Sequence, residues 1–124
     1  MKKQRPVNLQ LNTISFPPSA ISSILHRVTG VAMFFALLLV IAAWGISLQS
    51  VQSFTAVSDF MAGPFGKFLA IGTTSALTYH ILGGVRHMFM DLGHFEELAS
   101  GNNSAKFIIG LWIVLTVVFG ALIW

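Results

Sequence analysis

The stretch VTGVAMFFALLLVIAAWGISL, residues 28–48, contains no Asp, Glu, Lys or Arg. A helix needs about 20 mostly apolar residues to cross roughly 30 Å of hydrocarbon, and this stretch supplies them. Residues 65–90 and 107–124 meet the same requirement. The 124-residue chain is 55% hydrophobic and 9% charged, against about 25% charged in a typical soluble domain. The sequence therefore predicts an all-α membrane protein with three transmembrane helices. Its expected organisation is an N-terminal segment over 1–20 and a three-helix transmembrane domain over 21–124, with spans at about 21–48, 65–90 and 105–124.

The basic start MKKQRPVNLQ leads into a polar, Pro-Pro-containing segment, not a short apolar core with a small-residue cleavage site, so the first span reads as retained. Charge then orients the bundle. Lys2, Lys3, Arg5 and Arg27 precede the core of span one, and Arg86 and Lys106 flank the second loop; the first loop carries Asp59 and no cation before Lys67. The positive-inside rule predicts a cytoplasmic N-terminus and second loop, and a periplasmic C-terminus at Trp124. The net charge of +3 comes from scattered cations that form no patch, which argues against nucleic acid as a partner. The chain has no cysteine, so it cannot by itself build a disulfide or hold an iron–sulfur cluster.

Ser19, after Pro17-Pro18, is the expected N-cap of the first helix. The loop after span one is expected to hold one or two amphipathic turns before Gly63-Pro64, and the second loop, DLGHFEELASGNNSA, to be short and turn-rich. Span two is not uniformly apolar. Thr73, Ala76, His80, Gly84, His87 and Asp91 fall on one face at helical spacing, as do Ser23, Arg27, Gly30 and Phe34 in span one. Such small, polar stripes pack against protein or cofactor, leaving the other faces to lipid.

An ionisable residue at the depth of His80 is a functional candidate. Neutral imidazole is an axial ligand for haem iron, and Gly83 and Gly84 would let a flat ring approach the helix. Equally, His80 reads as a histidine bonded to a neighbouring helix, with the glycines serving helix packing. His87 lies about 10 Å further along the axis, while an iron–imidazole bond is about 2 Å long, so the two cannot ligate one iron. His87 is open to two readings, a neighbour of a haem propionate or an interfacial histidine. Arg27 could pair with a carboxylate or polarise a quinone carbonyl, with Ser23 adding a hydroxyl, or it could only snorkel to phosphates. Arg86 is about 120° off the His80 stripe and reads as an interfacial anchor. Asp91 reads as the start of the loop, His94 as a solvated loop residue, and Tyr79 and the tryptophans as residues with no functional task.

Two motifs narrow these choices. RPVNLQLNTISFPPSAISSILHRVT, residues 5–29, with S-x-x-H-R-x-[ST], resembles the first signature of the succinate dehydrogenase cytochrome b family. HILGGVRHMFMDLG, residues 80–93, resembles the second, H-x(3)-G-x-R-H followed by D-x-G. Both fit without a gap and in the family's order. The resemblance implies the large membrane anchor of complex II in a bacterial inner membrane, paired with a second small anchor and holding an iron–sulfur subunit and a flavoprotein subunit. It implies that His80 is an axial ligand of haem b, with the other ligand on the partner anchor, and that Ser23 and Arg27 bind ubiquinone. It further implies that His26 lies near the haem propionates and that flavin and iron–sulfur clusters belong to partner subunits; the positions of Arg27, His87 and Gly84 make them candidates to lie near the haem as well. Succinate would not touch this chain. A fumarate reductase anchor and a non-redox three-helix subunit are the competing readings; the second leaves His80, Gly84 and the His26-Arg27 pair without a purpose.

Overall fold

The computed structural model describes residue 7 and residues 9–124; Lys2, Lys3, Arg5 and the Arg5-Pro6 start of the first motif lie outside the described residues. After a single 3-10 turn at Leu11–Thr13 come four helices: α1 (Pro18–Ser47), α2 (Val51–Ala62), α3 (Pro64–Asp91) and α4 (Leu98–Ile123). α1, α3 and α4 are long and apolar enough to cross a membrane. No strand occurs among the described residues.

The helix ends follow from local chemistry. α1 begins on Pro17 as N-cap with Pro18 in its first turn, where proline's missing N–H and fixed φ cost nothing. Ser19 is therefore not the cap; its backbone N–H instead donates to Asn102 Oδ1 of α4 at 3.3 Å. Ser50 caps α2 by accepting from the Ser53 N–H at 3.0 Å. The expected one or two turns are thus a full 12-residue helix. α2 passes into α3 through Gly63 alone, and a Cβ at Gly66 would overlap the Phe60 carbonyl and the Met61 backbone. Only glycine permits this corner.

α3 closes with a left-handed Gly93 (φ 83°), the Gly93 N–H donating to Met90 O and the His94 N–H to Phe89 O. This is the Schellman arrangement, which satisfies the carbonyls left over at a helix end. α4 begins at Leu98, ahead of the expected start near 105, because the polar run ASGNNSA continues the helix.

α3 is the central element, packed against α1, α2 and α4. Several polar contacts join the helices. Tyr79, fully buried, donates from its hydroxyl to Ser22 of α1 at 3.0 Å and sets its ring edge-on to Trp112 of α4. Trp112 Nε1 donates to Ser75 at 3.0 Å, and Ser75 pairs with Thr116 at 2.9 Å. Most large apolar side chains face outward. That is the expected inversion for helices in lipid, where association rests on close packing and interhelical hydrogen bonds worth about 0.6–1.7 kcal/mol each.

Arg86 corrects one expectation. It does face away from the His80 stripe, but it is 4% exposed and is not an interfacial anchor. Its Nε donates to Ser104 Oγ at 2.9 Å and its Nη2 to the Gly101 carbonyl at 3.0 Å. The rotation that takes it off the stripe points it at the first turns of α4, where Gly101 and Ser104 offer acceptors. A guanidinium fork can use both at once.

Candidate functional site

The candidate residues gather toward one end of the bundle, where the first half of α1 meets the second half of α3. The His26 and His80 rings stack in parallel, centroids 4.1 Å apart and planes 8° from parallel. The His87 ring meets His26 edge-on at 5.0 Å. Both α3 histidines thus converge on one ring of α1. His80, Gly84 and His87 are only half-buried, so their stripe forms the margin of the three-helix packing. The fully packed line on α3 is the adjacent one, through Tyr79, Gly83 and Arg86.

Glycines create the space for these rings. A Cβ at Gly83 would lie 2.8 Å from His26 Cδ2, and one at Gly30 would lie 3.1 Å from His80 Cε1. Gly84 is looser, its Cβ falling 3.6 Å from His26 Nε2. The room opened by Gly83 and Gly84 is therefore taken by the His26 imidazole.

The hydrogen bonds around His80 settle its proton. Nδ1 lies 3.2 Å from the His26 carbonyl and 3.3 Å from the Thr29 hydroxyl. A carbonyl oxygen can only accept, so Nδ1 carries the hydrogen and Nε2 keeps its lone pair. This tautomer is assigned from the network. Among the described residues Nε2 has no hydrogen-bond partner. His26 Nε2 is buried and likewise unpartnered among the described residues; a buried polar atom in that position calls for a partner from beyond them.

Ser23 and Arg27 sit nearby on α1. Ser23 is half-buried and Arg27 exposed, and neither side chain makes a hydrogen bond or ion pair with the described residues. The structure does not pair them with the histidines; it leaves both available. Sequence reasoning chose Ser23 and passed over Ser22, which is the buried serine and is held by Tyr79. Thr29, to which the sequence assigns no task, and Gly30, a member of the span-one stripe, lie against the His80 ring together with His26. Asp91 and His94 are exposed, at the end of α3 and in the following loop.

Among the described residues no three His, Cys, Asp or Glu side chains converge to hold a metal ion. The donor set does fit a haem bound from one side. His80 presents one imidazole nitrogen with its lone pair free and its other nitrogen anchored, the state required of an axial ligand. The orphaned His26 Nε2 beside it could donate to or accept from a further polar group.

Comparison with known proteins supports the same direction. Residues 1–119 match the family described as succinate dehydrogenase/fumarate reductase transmembrane subunit. The succinate dehydrogenase cytochrome b556 subunit of Coxiella burnetii is 34% identical over 125 residues, covering 100% of both chains. The subunit of that name from Paracoccus denitrificans is 32% identical over 91% of this chain and 87% of its own length. That from Rickettsia felis is 31% identical over 91% and 88%. With three apolar spans and a polar, histidine-bearing helix junction in place, the chain belongs to the family of succinate dehydrogenase/fumarate reductase transmembrane subunits.

Proposed function

We propose that this chain is the cytochrome b anchor of a bacterial inner-membrane succinate:ubiquinone oxidoreductase, with its N-terminus in the cytoplasm and its C-terminus in the periplasm. The observation that carries the reading is His80: a half-buried imidazole inside a membrane span, its Nδ1 tied to α1 and its Nε2 left without a partner. His80 would ligate haem b from this side, and the second axial ligand would come from a partner anchor subunit. His26, with its buried unpartnered Nε2, His87 on its edge and Gly84 beside it are the candidates to border the haem or its propionates. When bound, the haem would supply a one-electron store whose potential is set by axial ligation, hydrogen bonding and burial.

The quinone chemistry falls to Ser23 and Arg27. Reducing a quinone builds negative charge on its carbonyl oxygens before protons arrive, and a fixed cation with a neighbouring hydroxyl stabilises that charge. Arg27 is permanently charged and engages no acceptor among the described residues, so its donors are available to a ligand. Ser23, one turn earlier on the same face, would hold a second polar atom and orient the ring. The electrons would come from an iron–sulfur subunit that is itself supplied by a flavoprotein subunit, so succinate is oxidised elsewhere. Residues 21–124 would work as one transmembrane unit with the N-terminal segment on the cytoplasmic side.

The dehydrogenase reading is preferred to a fumarate reductase anchor because both motifs fit the dehydrogenase pattern and the three relatives above carry that name. The test is Arg27→Ala in the purified complex, with three readouts. Succinate-to-quinone turnover should fall about 100-fold, the loss typical of removing one preorganised donor. Succinate oxidation by an artificial acceptor and haem content should stay at the native level. Equal loss in both assays would mean misassembly and would remove Arg27 from the quinone site.

A further inference from the structure

Thr29 is buried on α1 and belongs to the first motif, yet the proposed haem and quinone chemistry gives it no task. Its hydroxyl lies 2.8 Å from the Leu25 carbonyl and 3.0 Å from the His26 carbonyl. The hydroxyl's one proton is drawn to these oxygens, which can only accept. Toward His80 it therefore presents a lone pair, 3.3 Å from Nδ1.

We propose that Thr29 is a positioning residue for the haem-binding histidine: its hydroxyl, with the His26 carbonyl, holds the Nδ1 hydrogen of His80 and so keeps Nε2 as the nitrogen free to bind iron. The proposal rests on the reading of His80 as an axial ligand. Three contacts together fix the ring. Stacking on His26 at 4.1 Å sets its plane. Gly30, the residue after Thr29, lets the Cε1 edge lie flush against α1, where a Cβ would stand only 3.1 Å away. The pair of acceptors on Nδ1 then decides which nitrogen turns inward and which turns out. The His26 carbonyl alone could still accept, but only from a ring free to rock about a single long bond of 3.2 Å.

An acceptor on the far ring nitrogen also makes the near one a stronger donor, because it pulls the imidazole toward its anionic form. A stronger donor favours oxidised iron, so this bond lowers the haem midpoint potential. The Thr29 hydroxyl thus has a consequence that side-chain volume alone does not. Valine has nearly the same shape without the oxygen, and serine keeps the oxygen without the methyl.

The test uses the intact purified complex carrying Thr29→Val, Thr29→Ser, Thr29→Ala or His80→Ala, read by haem content and by redox titration of the b-type absorbance. Thr29→Val should raise the midpoint potential and loosen haem by about 10-fold or more, the usual cost of losing such an outer partner. Thr29→Ser should restore native values. A native potential and native haem retention in Thr29→Val, alongside loss of the b-type signal in His80→Ala, would overturn the proposal while leaving the ligand reading intact. Retention of the signal in His80→Ala would overturn both. Should the valine complex fail to assemble, the smaller pair decides: native behaviour in Thr29→Ser with a shifted potential in Thr29→Ala supports the hydroxyl, and identical behaviour in the two overturns it.

Discussion

The two ends of the bundle are made of opposite materials. Where the first half of α1 meets the second half of α3, the contacts are specific and polar: His26 on His80, Thr29 on His80, Tyr79 on Ser22, with Arg86 tying α3 to α4. Toward α2, the same two helices and α2 line an apolar groove of about 1140 Å³, with residues such as Ala36, Leu39, Val57, Phe60, Phe68 and Ala76 in its walls. At the polar end the His80, Tyr79 and Arg86 side chains are each held by hydrogen bonds or ring contacts, and geometry is the product. Along the groove the lining side chains are apolar surface, and the specific contacts at this end are the Gly66 corner and the Lys67 bond to the Trp124 carbonyl.

This contrast can be broken most sharply at two glycines of α3, Gly83 at the polar end and Gly72 on the groove. Gly83→Val should be the more damaging of the two: its Cβ would press to 2.8 Å from His26 Cδ2, and that ring is stacked on His80. Overpacking of this kind costs about 1–3 kcal/mol, and haem content of the purified complex should fall severely along with its thermal stability. A smaller effect is expected from Tyr79→Phe, which keeps the packing on Trp112 but removes the bond to Ser22. About 1 kcal/mol is expected from the membrane range for such bonds, read as a modest drop in the melting temperature of the complex with quinone turnover unchanged. Gly72→Ala, on the groove, is the silent counterpart, for a Cβ there meets nothing within 4 Å. If Gly72→Ala and Gly83→Val were equally harmful, the division between the two ends would be false.

The same division explains what was legible in the sequence. Three spans follow from hydropathy because lipid demands only apolar length. The stripe through His80, Gly84 and His87 was visible because helical period places residues on faces without knowledge of neighbours. What escaped needed the neighbours. Ser22 and Ser23 are adjacent, and only the rotation of α1 against Tyr79 decides which one is buried. Gly83 and Gly84 pose the same problem, resolved by the position of the His26 ring. Arg86 looked like an anchor since charge in a span usually seeks the headgroups; its acceptors come from α4, 15 and 18 residues later. α2 was underestimated because Gly63-Pro64 read as a loop boundary, whereas that single residue joins two helices directly.

The central claim is that His80, alone among the clustered histidines, offers this chain's iron-binding nitrogen. The most direct measurement is the dithionite-reduced minus oxidised spectrum of the purified complex bearing His80→Ala, set beside His87→Ala. His80→Ala should lose the b-type signal, and His87→Ala should keep it, because His87 reaches only the edge of His26. An undiminished b-type signal in the His80→Ala complex would contradict the account.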